Sequence, residues 1–76
     1  MARYQVIENP RFEEIEVGDT IEVRTSWGTG RLVYGVVMGT EVNGKNEQNV
    51  VDYHVEGNKY DNWAYDYQID KLIKEL

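Results

Sequence analysis

The stretch from Asn58 to Asp70, NKYDNWAYDYQID, sets Tyr60, Trp63, Tyr65 and Tyr67 among Asp61, Asp66 and Asp70, with Lys59 as its one cation. Aromatic faces carry negative charge density and attract ammonium and guanidinium groups, and a neighbouring carboxylate adds to that attraction. The chemistry open to such a set is recognition of a cation. A further aromatic, Trp27, stands in the glycine-flanked run SWGTG. A large side chain on such a loop is hard to bury, and a contact surface is its natural use. Trp27, Tyr60, Asp61, Trp63, Tyr65 and Asp66 are therefore the candidate partner-binding residues. A competing reading makes Trp63 and one or two of the tyrosines core, since aromatics supply the largest burial per residue.

Bond-making chemistry finds less support. His54 lies between Asp52 and Glu56 on one parity of a period-2 run, which reads as a solvated strand face. The single serine, Ser26, could be written into a triad with His54 and an aspartate, but no nucleophile-elbow motif surrounds it. The carboxylates Glu13, Glu14, Glu16 and Asp19, and later Asp61, Asp66 and Asp70, lack the D-x-D-x-D-G spacing of a calcium loop. Nothing in their spacing holds two of them as an acid–base pair. Gly28, Gly30, Gly35 and Gly39 do not form a phosphate-cradling G-x-G-x-x-G run. With no cysteine and one histidine, neither a thiolate nor a histidine-rich metal site is expected. The expectation is a non-enzymatic protein without metal or cofactor.

The elements that must position these residues belong to one small domain spanning all 76 residues. A chain of that size buries only about 60% of its unfolded surface, and association is the remaining supplement once disulfides and metals are set aside. Fourteen acidic against eight basic residues give a formal charge of −6, and the cations are scattered. That field repels phosphate, so nucleic acid is not an expected partner. No apolar run is long enough to span a bilayer and no apolar leader precedes the domain, so no membrane partner is expected and a cytoplasmic location is.

Period-2 alternation, the mark of a half-buried strand, dominates the chain. DTIEVRT alternates Ile21 and Val23 with polar residues, and NVVDYHVEG alternates Val51, Tyr53 and Val55 with Asp52, His54 and Glu56. The long run RLVYGVVMGTEV puts Tyr34, Val36, Met38 and Val42 on one parity and Val33 and Val37 on the other, with Gly35 and Gly39 as bends. Asn43-Gly44 is a strong hairpin signal after it. WAYDY reads as a further strand, and residues 1–11 as an N-terminal extension or edge strand ended by Pro10. Residues 66–76 are ambiguous. Ile69, Leu72, Ile73 and Leu76 have helical spacing, but a helical or 3-10 turn followed by a short strand is preferred.

With Val17-Gly18-Asp19, Ile21, Val23, Gly35-Val36, Gly44, Val51-Tyr53-Val55, Trp63, Tyr65, Ile69 and Leu72-Ile73 in that order, residues 12–76 resemble the SH3-like barrels, the Tudor and KOW-type members in particular. The resemblance implies an all-β, five-stranded barrel with a short helical turn before its last strand. It also implies an aromatic ligand surface near Trp27 and Tyr60–Tyr65. A likeness to the plasmid-type dihydrofolate reductases stops at YQID (Tyr67–Asp70), which ends in aspartate where that family has tyrosine, and no residue is carried over from it. The functional expectation is an acidic interaction module for a basic or mixed polypeptide segment. The alternatives are a homo-oligomeric structural protein, of the kind phages and mobile elements encode, with the aromatics as its seam, and an enzyme with a site at an oligomer pore.

Overall fold

Each period-2 run forms a strand in the computed structural model, which describes residues 3–76; residues 1 and 2 of the expected domain lie outside it. The strands are β1 (Tyr4–Glu8), β2 (Thr20–Arg24), β3 (Leu32–Lys45), β4 (Gln48–His54), β5 (Asn62–Tyr65) and β6 (Ile69–Glu75). All pairings are antiparallel, in one sheet of order β1-β6-β2-β3-β4-β5. The chain is all-β. The sheet has six strands rather than the five expected, and it is open: β1 and β5 are its two terminal strands. The sixth strand arises because YQVIE pairs with β6 without a break from Tyr4↔Glu75 to Glu8↔Lys71.

The tail is a 3-10 turn at Asp66–Gln68 followed by β6. Its helical spacing has another cause. Ile69 and Leu72 are both buried although three residues apart, which a regular strand would forbid. A bulge between the Glu22↔Lys71 and Val23↔Ile69 pairs makes Asp70 the extra residue and restores Ile69 to the inner face. Asp70, pushed out at the bulge, accepts from Arg24 Nε at 3.2 Å and Nη2 at 2.9 Å.

The β3–β4 reversal corrects the hairpin expectation. The turn lies at Asn46-Glu47, both at positive φ (49° and 61°), and Asn43-Gly44 lies within β3 before it. Burial decides between the two. A two-residue turn at Asn43-Gly44 would pair Val36 with Val51 and turn Val51 and Tyr53 onto the solvent face. The observed register pairs Val37 with Tyr53 and buries both. Register shifts between Val37 and Gly39 and between Glu41 and Lys45 take up the extra residues.

The core consists of Ile15, Ile21, Val23, Val37, Val51, Tyr53, Ala64, Ile69 and Leu72, with Ile7, Phe12, Val33 and Val55 against its rim. Of the two parities of β3, the core takes Val33 and Val37. Tyr34, Val36 and Met38, the bulkier set, stay exposed. Gly35 stands on the inner face opposite Ile21, and a Cβ there would come within 2.6 Å of the Tyr53 ring and 3.0 Å of the His54 carbonyl. The absent side chain is the space that Tyr53 fills.

Gly35→Ala is therefore expected to destabilise by about 1–3 kcal/mol in chemical denaturation, the range for overpacking. Gly39→Ala, whose Cβ would meet only Asp52 Oδ2 at 3.6 Å, should lie within about 0.5 kcal/mol of the parent.

Candidate functional site

A tight left-handed turn at Thr25–Gly28 follows β2. Ser26 (φ 53°, ψ 53°) and Trp27 (φ 54°, ψ 30°) both lie in the left-handed region, which costs an L-residue about 1–2 kcal/mol. The surroundings hold the turn in place. Thr25 N–H donates to the Arg31 carbonyl at 2.9 Å and Gly30 N–H to the Thr25 carbonyl at 2.7 Å. The Thr25 hydroxyl donates to Arg31 O at 2.9 Å and the Thr29 hydroxyl to Ser26 O at 2.8 Å. The bonds made by Thr25 require glycine at position 30, because a Cβ there would fall 2.5 Å from Thr25 Oγ1 and 2.9 Å from the Thr25 carbonyl oxygen. Strain held by this many local bonds is characteristic of sites where a side chain must be presented. Trp27 is presented, with 70% of its surface exposed.

Facing it, Trp63 of β5 stands directly across from Asp52 of β4. Trp27, Ser26, Trp63 and Gln68 line a groove of about 260 Å³. The Trp63 ring carries the Lys45 ammonium 4.8 Å from its centroid and meets the edge of Tyr65 at 5.2 Å with an interplanar angle of 86°. Tyr67 stacks on Tyr65 in turn at 5.4 Å. Tyr65 itself is buried beside Val50, and its hydroxyl accepts from Asn46 Nδ2 at 2.7 Å. It packs its ring against Trp63, so within this pair Tyr65 is buried and Trp63 stays 43% exposed.

Gln68 joins the two walls. Its Oε1 accepts from the buried Tyr65 N–H at 2.9 Å and its Nε2 donates to the Arg24 carbonyl at 3.0 Å. It thus ties the residue before the strained turn to the end of β5. Sequence reasoning missed Gln68; the available signal was a glutamine three positions after the residue that precedes a helical turn.

The remaining candidates lie apart from this groove. Tyr60 is exposed, with Lys59 Nζ 5.4 Å from its ring. Asp61 is hydrogen-bonded to His54 Nδ1 at 2.9 Å, so His54 is not merely solvated. Asp66 lines a separate open depression of about 380 Å³ with Pro10, Arg11, Phe12 and Tyr67. Asp52, by contrast, belongs to the Trp63 wall. Its carboxyl is pushed up by partial burial, by a hydrogen bond to Glu41 and by that neighbour's charge, with Asp61 adding and Lys45 opposing. The Trp63 wall is therefore acidic, and Lys45 is the cation seated on it.

Among the described residues no group of three or more histidine, aspartate or glutamate side chains could hold a metal ion, and no helix is long and apolar enough to cross a membrane. No protein-family model, curated protein or solved structure matches the chain.

Gln68→Ala would leave the buried Tyr65 N–H and the half-buried Arg24 carbonyl without these partners, and is expected to cost about 1–3 kcal/mol with a changed tryptophan emission spectrum. For Asp52 the sign follows from its raised folded value: the folded state binds the proton more tightly than the unfolded chain. Its ionisation therefore costs stability at neutral pH, and that cost fades as pH falls through the raised value into the ordinary carboxylic range. Asp52→Asn should be more stable than the parent at pH 7, and thermal melts taken at decreasing pH should bring the two together.

Proposed function

We propose that this protein is a small acidic interaction module that receives a lysine- or arginine-containing polypeptide segment in the Trp27–Trp63 groove. The observation that carries this reading is the strained, multiply hydrogen-bonded turn that holds Trp27 70% exposed opposite a second tryptophan. Lys45, whose ammonium lies 4.8 Å from the Trp63 ring centroid within the chain, supports a cation as the group to be received. Asp52 beside Trp63, and Glu41 beside Asp52, supply negative charge at the same place, and the chain as a whole carries −6. The aromatics would hold the affinity, and the acidic rim with Asp61 would speed encounter. Tyr60 and Asp66 would serve as outlying contacts for a longer segment.

The reading of the fold that accompanies this one is an SH3-like barrel over residues 12–76 with β1 added outside it. Its support is that β2 to β5 run as a meander, a 3-10 turn follows, and β6 returns to pair with β2.

Both tryptophans of the chain line the groove, so selectively excited tryptophan emission reports on the site. Titration with a short lysine-rich peptide should give a saturable change that weakens with salt and disappears when the lysines are acetylated. Trp27→Ala should weaken binding at least about tenfold while leaving the melting temperature close to that of the parent. Lys45→Ala, which vacates the Trp63 ring, should strengthen it. A flat titration to about 1 mM peptide, or affinity indifferent to Trp27→Ala, would refute the reading.

A further inference from the structure

The two edges of β1 differ. Leu76 N–H donates to the Arg3 carbonyl at 2.8 Å and Asn9 N–H to the Asp70 carbonyl at 2.9 Å. Between these bonds the register runs unbroken from Tyr4↔Glu75 to Glu8↔Lys71. Bonded and non-bonded pairs alternate along an antiparallel ladder, so the odd-numbered residues of β1 exchange backbone bonds with β6. The N–H and C=O groups of Tyr4, Val6 and Glu8 point the other way, along the free edge of the sheet.

Exposed edges are ordinarily blunted by proline, lysine, a bulge or a covering segment. Tyr4–Glu8 contains neither proline nor lysine, and its pairing is regular. The other terminal strand is treated differently: β5 is four residues long and the Thr25–Gly28 turn packs against it. The side chains of β1 add a second feature. Successive pairings place Val6, Ile73, Thr20 and Val36 in one row across the outer face of β1, β6, β2 and β3. Val6 and Val36 are 56% and 42% exposed. This mainly apolar row ends abruptly at the free edge.

We propose that β1 pairs antiparallel with β1 of a second copy about a two-fold axis at Val6, joining two sheets into one. Only this register brings all three outward-facing residues of each strand into bonded pairs: Val6 with Val6, and Tyr4 with Glu8. It also matches side chains. The apolar row of one copy continues into that of the other through adjacent valines, and each Tyr4 phenol lies beside a Glu8 carboxylate that it can serve as donor. The partner this edge fits is therefore a second copy of the chain. The seam is short and each copy carries −6, so the dimer depends on concentration and is strengthened by salt, which screens the repulsion. It is independent of the Trp27–Trp63 groove, whose peptide binding salt should weaken.

Sedimentation velocity from about 1 µM to about 1 mM, at low and high salt, tests the proposal. The expected result is a monomer–dimer equilibrium that shifts to dimer with salt. Val6→Pro removes only an N–H that β6 does not use, and Val6→Lys sets two ammonium groups together at the axis. Both should remain monomeric with the circular dichroism spectrum of the parent. Amide hydrogen exchange gives a readout without substitution: Tyr4, Val6 and Glu8 should gain protection with concentration, while Gln5 and Ile7 are protected throughout. A monomer across the whole range overturns the proposal, as does a dimer that survives both substitutions or protection that does not alternate along β1.

Discussion

The register between β3 and β4 is the constraint on which the rest depends. Pairing Val37 with Tyr53 sends both inward, and the Tyr53 ring then takes the space beside Gly35. The same parity sends Asp52 outward, and the β4–β5 register sets Trp63 directly across from it. The bulge between Glu41 and Lys45 belongs to this arrangement too, since it lets the hairpin turn at Asn46-Glu47 while the core residues keep their faces. Lys45 then reaches the Trp63 ring and Asn46 reaches the Tyr65 hydroxyl. One choice of which β4 side chains to bury thus sets the core and one wall of the groove together.

The other wall is built on different terms. Trp27 contributes little burial and occupies a backbone conformation that tryptophan disfavours, so local hydrogen bonds must hold the turn. Gln68 connects the two walls, because its amide can accept from one and donate to the other. A small sheet with little core to spare thereby holds an exposed aromatic pair at fixed spacing. A preformed surface loses little entropy on binding, which is the physical advantage of this arrangement under the function proposed above.

The sheet leaves unused surface at its opposite terminus. β3 exposes its bulkier apolar parity, and the row from Val36 to Val6 runs out to an edge whose outward backbone groups pair with no other strand among the described residues. The aromatic groove is lined by Ser26, Trp27, Trp63 and Gln68, none of them in β1, so the groove and this edge share no residue.

Alternation of apolar and polar residues along the chain determined the strands, because side-chain direction in a strand depends on parity alone. Composition likewise determined the acidity and the lack of cysteine ligands, and residue types named Trp27 and Trp63 among six candidates, of which Tyr60, Asp61 and Asp66 lie apart from the groove. What parity cannot supply is register. The displaced hairpin turn and the bulge at Asp70, which in sequence imitates helical spacing at Ile69 and Leu72, follow from which residues the core could bury. Register also sorted the aromatics, turning Tyr65 to a support and leaving Trp63 half-exposed beneath Lys45. The roles of Lys45, Asp52 and Gln68 arise from pairings between segments distant along the chain, and only tertiary structure brings those together.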